Sequence, residues 1–174
     1  MKTIDLKNKK IGIWGLGIVG SSVLEYIKQF TNHIQILDSK SHATINVIVQ
    51  TSQTIKKFLN DNDIIIPSPG IPLQAYQKKY GAKFICELDI FSSQIAQNNG
   101  PVKTIAITGT VGKTSITHIL QQCICNCVAA GNIGYAMLNV CNLQPQPEIV
   151  VLELSSYQLH YTKHFAPDMA IWTN

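Results

Sequence analysis

Along the 174 residues, short runs of consecutive apolar positions alternate with stretches in which apolar residues recur every three or four places. Runs of the first kind read as strands buried on both faces, and stretches of the second kind as helices lying on them. Lys10–Trp14, "KIGIW", predicts a first strand. A helix follows to about Phe30, with Val23, Leu24, Ile27 and Phe30 on one side. His33–Asp38 and Ile45–Val49 predict two more strands. "SQTIKKFLN" predicts a helix with Ser52 as its N-cap. "DIIIPSPGI" reads as a strand ending in a Pro/Gly turn, "LQAYQKKYG" as a short helix and "KFIC" as a short strand. The polar stretch Ala96–Pro101 predicts a linker, which divides the chain into units 1–98 and 99–174. In the second unit, strands are predicted at Val102–Thr108, Val128–Gly134 (with its turn), Glu148–Leu154 and Asp168–Asn174, with a helix over Ser115–Cys127. Strands that alternate with helices imply parallel sheets.

Composition narrows the class. Hydrophobic residues make up 45% of the chain and charged residues 14%, enough for a packed core. No apolar run approaches the roughly 18–20 residues that span a bilayer, and the N-terminus lacks a signal-peptide pattern, so a cytoplasmic protein without membrane contact is expected. The net charge is +4, and all fourteen basic residues are lysines. Without arginine there are no guanidinium forks for phosphate or guanine. The lysines are scattered, and no nucleic-acid partner is expected. Cys123, Cys125 and Cys127 invite a metal reading. However, Ile116, Ile119, Leu120, Cys123, Ile124 and Cys127 fall at i, i+3, i+4, i+7, i+8 and i+11, which predicts the buried stripe of one helix.

Two turns carry chemistry. Gly15-Leu16-Gly17-Ile18-Val19-Gly20 follows a strand, opens a helix, and lies 18 residues before Asp38 at the end of the next strand. That context points to a dinucleotide or nucleotide-diphosphate site. The second turn is Gly109-Thr110-Val111-Gly112-Lys113-Thr114-Ser115. The usual phosphate-binding pattern would place a glycine at Ile107, so this loop is shorter. It still offers what a triphosphate needs: glycines for close backbone approach, amides at a helix N-terminus, a lysine, and a hydroxyl for Mg²⁺. Glu153 ends a buried strand, where a carboxylate can hold a metal ion; a hydrogen-bonded structural Glu fits that position equally well. Ser68, Pro69 and Gly70 stand at the carboxyl end of a strand, the edge where ligands of open α/β sheets bind; a purely structural turn fits them equally well.

"ITGTVGKTS" resembles the ATP loop of the Mur ligases, a family that uses this shorter form. "SPGI" (Ser68–Ile71), "GNIG" (Gly131–Gly134) and "ELSSYQL" (Glu153–Leu159) resemble its D-glutamate-adding branch, in the same order along the whole chain. The resemblance implies an α/β chain. A Rossmann-like domain would bind the UDP end of the substrate, followed by the first part of a P-loop-type ATPase domain. It implies ATP and Mg²⁺ as cofactors, UDP-N-acetylmuramoyl-L-alanine and D-glutamate as substrates, and a monomer. Lys113 and Glu153 would carry catalysis, with Thr114 and Glu153 on Mg²⁺. Gly109 to Ser115 would hold ATP. Leu16, Gly17 and Ile18 would face the diphosphate, and Asp38 and Ser39 the uracil. Ser68, Pro69 and Gly70 would lie near the nucleotide sugar, Asn132 would reach the substrate side, and Ser156 and Gln158 would line the muramoyl-peptide end. Val111 stands where the family has Asn, and Lys40 where Arg is common. The family's later histidine, modified lysine and amino-acid-binding domain would fall beyond Asn174, so the chain alone is not expected to complete the reaction. Three rivals remain open. An NAD(P)-dependent oxidoreductase would leave Lys113 and Thr114 without a role. A folylpolyglutamate synthase relative shares the loop but not an N-terminal domain ending in "SPGI". The third is a module that binds ligand without turnover.

Overall fold

The structure is a computed structural model that describes residues 4–97 and 102–174. It forms two compact units, Asp5–Glu87 and a second made of Ile4 with Leu88–Asn174. The predicted 98/99 boundary lies outside the described residues, and the helix that precedes it packs with the second unit.

In the first unit, β1 (Ile11–Trp14), β2 (Ile34–Asp38), β3 (Ile48–Val49) and β4 (Ile64–Pro67) form one parallel sheet in the order β3-β2-β1-β4. Ile11 pairs with both Ile34 and Ile64, and Trp14 with both Leu37 and Pro67. All four residues of β1 and of β4 are buried, as apolar runs in a two-sided parallel sheet must be. Helix α1 (Ile18–Ile27) buries Val23, Leu24 and Ile27 against the sheet; helix α2 (Ser52–Asp61) buries Ile55, Phe58 and Leu59. Trp14 packs between Phe58 and Tyr76, at ring-centroid distances of 6.2 and 5.4 Å, and its indole N–H donates to Gln50 Oε1 at 3.1 Å. Tyr76 lies on α3 (Gln74–Tyr80).

Local expectations shift here by a few residues. The cap of α2 is Thr51, not Ser52. Its hydroxyl accepts the Thr54 amide at 3.1 Å, and the Thr54 hydroxyl accepts the Thr51 amide at 2.7 Å, a reciprocal box that leaves Ser52 inside the first turn. Of the predicted third strand only Ile48 and Val49 reach β2. "KFIC" is not a strand: Gly81–Lys83 is a 3₁₀ turn, and Phe84 makes a single bridge to Ile65.

In the second unit, β5 (Lys103–Thr108), β6 (Cys127–Gly131), β7 (Ile149–Glu153) and β8 (Met169–Trp172) form a parallel sheet in the order β6-β7-β5-β8. Helix α4 (Glu87–Ile95), for which no element is predicted, buries Leu88, Ile90, Phe91 and Ile95. Leu88, Phe91 and Ile95 stand at i, i+3 and i+7, a helical signal that was present in the sequence. Helix α5 (Lys113–Cys123) packs on Ile105, Ile107 and Val151 through Ile116 and Leu120, with Ile124 and Cys127 beside them. The predicted stripe to Cys127 is therefore too long. Asn126 takes a left-handed conformation at φ 52° and turns the chain, so Cys127 enters β6 instead. Ile119 is 57% exposed and Cys123 is exposed, on the side of α5 that faces away from the sheet. Helices α6 (Met137–Val140) and α7 (Ser156–Tyr161) are further elements that the apolar pattern does not predict. Among the described residues no cluster of His, Cys, Asp and Glu has metal-binding geometry, and no helix is long and apolar enough to cross a membrane.

Candidate functional site

Each sheet brings its chemistry to the carboxyl ends of its strands. In the first unit the Gly-rich turn leaves β1, Asp38 ends β2, and the Ser68 turn leaves β4, so the order β3-β2-β1-β4 makes these three segments neighbours. This is the switch point at which open α/β sheets bind ligands. The Leu16 amide donates to Asp38 Oδ2 at 2.5 Å, and the Gly15 amide to the Leu37 carbonyl at 2.7 Å. The Ser68 hydroxyl donates to the Gly15 carbonyl at 2.9 Å. Gly15 sits at φ 91° and Gly70 at φ 94°, both left-handed. Gly20 is required for closeness: a Cβ there would lie 1.9 Å from the Gly15 carbonyl oxygen. Gly17 and Ile18 are exposed, Ile18 to 85%.

Asp38 is the electrostatic centre of this edge. Burial by itself would raise its carboxyl, but the Leu16 and Lys40 amides, the Ser39 hydroxyl and His42 outweigh that and hold it below the ordinary carboxylate value of 3.8. Its ionised form therefore stabilises the fold. That contribution is fully present above the unfolded value and fades as pH falls through the lower folded one. Asp38→Asn is expected to lower the melting temperature at pH 7 and to flatten the acid limb of a stability-versus-pH curve. An unchanged acid limb in thermal scans from pH 7 down to pH 3 would contradict this.

In the second unit the Gly109–Gly112 loop connects β5 to α5. Gly112 caps α5 at φ 86°, and Gly109 stands at φ 132°. A Cβ on Gly109 would meet the Thr173 carbonyl oxygen at 2.3 Å. Lys113 Nζ donates to the carbonyls of Gly109 at 2.8 Å and Thr110 at 3.2 Å, so the ammonium folds back across the loop. The amides that lead α5 have no intrahelical acceptor and give that end its positive potential.

Beside them the Thr114 hydroxyl donates to Glu153 Oε2 at 2.7 Å. Glu153 ends β7 at 2% exposure, and none of the ion pairs among the described residues includes it. A buried carboxylate without a cation is costly, and a carboxylate with a neighbouring hydroxyl is the hard-oxygen donor set that suits Mg²⁺. The residues present fit that ion.

The remaining candidates separate in role. Asn132 follows Gly131 at the end of β6. Its amide donates to the Glu153 carbonyl at 2.9 Å and its side chain to Glu153 Oε1 at 3.4 Å. Ser156 is exposed at the start of α7. Gln158 is 8% exposed, and its Oε1 accepts the Ser155 amide at 2.8 Å and the Ser155 hydroxyl at 3.0 Å; it caps α7. Two loop amides are engaged in a way the sequence did not signal. Thr110 and Val111 donate to the Asn174 carbonyl at 2.7 and 3.0 Å, while the Thr173 amide donates to the Thr108 carbonyl at 2.8 Å. The two residues that follow β8 thus lie against the first half of the loop. The Val111 side chain is 69% exposed.

A family model for the NAD-binding domain of D-isomer-specific 2-hydroxyacid dehydrogenases matches residues 1–77, the stretch that holds the first sheet. Curated relatives match nearly the whole chain. The UDP-N-acetylmuramoylalanine–D-glutamate ligase of Desulfatibacillum aliphaticivorans is 30% identical over 98% of this chain and 41% of its own length. The protein of that name from Fusobacterium nucleatum is 31% identical over 95% of this chain and 38% of its own; that from Staphylococcus epidermidis is 30% identical over 98% and 40%. The chain spans about two fifths of the length of these relatives.

Proposed function

We propose that the chain is part of a Mur ligase of the D-glutamate-adding kind, to which it is 30–31% identical over about two fifths of those relatives' length, and that it provides the UDP-substrate and ATP sites of an ATP-dependent amide ligase. The observation that carries this reading is the bond from the Thr114 hydroxyl to Glu153 at the carboxyl edge of the second sheet, next to the loop over which the Lys113 ammonium folds. An oxidoreductase confined to the first sheet gives that assembly no task.

In this reading the carboxylate of UDP-N-acetylmuramoyl-L-alanine attacks the γ-phosphorus of ATP. An O–P bond forms as the bond to the ADP oxygen breaks, leaving an acyl phosphate. The amine of D-glutamate then adds to the acyl carbon, phosphate departs, the amine proton passes to solvent, and an amide remains. The protein acts by positioning and charge neutralisation. Lys113 exchanges the Gly109 and Thr110 carbonyls for phosphate oxygens, and the amides that open α5 face the same charge. Thr114 and Glu153 would hold Mg²⁺, which supplies further neutralisation of the phosphates when bound. Leu16, Gly17 and Ile18 would face the UDP diphosphate, Asp38 and Ser39 the uracil, and Ser68, Pro69 and Gly70 the nucleotide sugar.

The test is ligand-induced stabilisation. UDP-N-acetylmuramoyl-L-alanine at millimolar concentration is expected to raise the melting temperature of the chain, and NADH is not. A shift with NADH and none with the UDP-sugar would replace the substrate assignment with the dinucleotide one.

A further inference from the structure

Glu153 is held from two sides, and each of its carboxylate oxygens has its own donor. Oε2 takes the Thr114 hydroxyl at 2.7 Å; Oε1 takes the Asn132 side-chain amide at 3.4 Å. Asn132 reaches it from a backbone that has little freedom. The Asn132 amide is bonded to the Glu153 carbonyl at 2.9 Å, and Gly131 pairs with Glu153 across β6 and β7. Gly131 itself takes φ 101°, with its Cβ position 2.3 Å from the Glu153 carbonyl oxygen, so a side chain there would force the strands apart. The Gly131-Asn132 turn is therefore built against the backbone of the very residue whose side chain Asn132 touches.

We propose that Asn132 is a positioning residue for Glu153: its side-chain amide fixes the rotation of the buried carboxylate and leaves Oε2 turned toward Thr114, where a divalent cation would sit. This role goes beyond the substrate-side placement implied by the family resemblance, and it rests on the reading of Thr114 and Glu153 as Mg²⁺ ligands. A carboxylate at 2% exposure that loses one of two donors keeps its burial but not its orientation. Partners of this kind commonly alter metal affinity by about 10–100-fold when removed.

The experiment measures ATP binding to the full chain by calorimetry across a Mg²⁺ titration. Asn132→Ala is expected to raise the Mg²⁺ concentration needed for half-maximal ATP binding by about tenfold, with ATP affinity in the absence of Mg²⁺ unchanged. Asn132→Asp keeps the shape but replaces the donor with a second carboxylate beside Glu153, so it is expected to shift the Mg²⁺ requirement the opposite way. A merely structural role gives no such opposition. Wild-type Mg²⁺ dependence in both variants, or equal shifts in one direction, overturns the proposal. Loss of UDP-N-acetylmuramoyl-L-alanine binding in Asn132→Ala with Mg²⁺ dependence intact also overturns it, in favour of the substrate role alone. If the wild-type chain binds ATP with no response to Mg²⁺, the underlying metal-site reading fails instead, and the two failures are thus distinguishable. Should Asn132→Ala fail to fold, Asn132→Gly, which also removes the side-chain amide donor, takes its place against Asn132→Asp.

Discussion

Lys113→Ala is expected to weaken ATP binding by about a hundredfold while leaving the thermal shift from UDP-N-acetylmuramoyl-L-alanine unchanged. The magnitude is the lower bound for removing an ammonium that makes two charge-assisted contacts, each worth at least about 1.5 kcal/mol, against about 1.4 kcal/mol per tenfold in affinity. The asymmetry follows from the chain's division into two units: Lys113 belongs to the second sheet, whereas Asp38, Ser68 and the first Gly-rich turn belong to the first. In the structure Nζ bridges the Gly109 and Thr110 carbonyls, so the variant also frees the loop, and circular dichroism should accompany the binding isotherms. Equal loss of both ligands would mean that the assignment of one anion pocket to each sheet is mistaken.

Gly20→Ala is expected to destabilise the first unit by about 3 kcal/mol or more, at the upper end of overpacking costs. The added methyl would lie 1.9 Å from the Gly15 carbonyl oxygen and 2.9 Å from its carbon. Both are backbone atoms of the turn and cannot swing aside as a side chain would. Relief requires α1 to move off β1, which loosens the contacts of Val23, Leu24 and Ile27. Gly17→Ala is the control. Nothing lies within 4 Å of its Cβ position, and its φ of −75° suits any residue, so a change within about 0.5 kcal/mol is expected. Trp14, buried in the first unit, reports unfolding by urea through its fluorescence, against the steady signal of Trp172, which is 86% exposed. Equal midpoints for the two variants would refute the close-approach argument.

The Gly15–Gly20 turn is legible in the sequence as a glycine motif between a strand and a helix, whereas the close approach of Gly20 to the Gly15 carbonyl is seen only in the structure. The strands are legible as well. Ile64–Pro67 and Ile149–Glu153 are apolar without interruption, and only a sheet covered on both faces buries such runs. Elements with weaker signals went astray. The stripe from Ile116 to Cys127 satisfies helical spacing throughout, yet Asn126 at φ 52° ends that direction, and periodicity does not sense a turn of the backbone. The cap of α2 moved by one residue because Thr51 and Thr54 bond reciprocally, whereas Ser52 is an equally acceptable cap by type alone.

By itself the sequence determined the alternation of buried strands with helices, the two glycine-bearing turns, and the residue types that suit phosphate and a hard cation, since these depend on neighbours within a few positions. Only the tertiary structure decided which distant groups meet. The order β6-β7-β5-β8 brings Glu153 to Thr114 across 39 residues and Asn132 to Glu153 across 21, and it sets Asn174 against the amides of Thr110 and Val111. Strand order is a property of the whole sheet, fixed by which faces bury together, and no spacing along the chain records it.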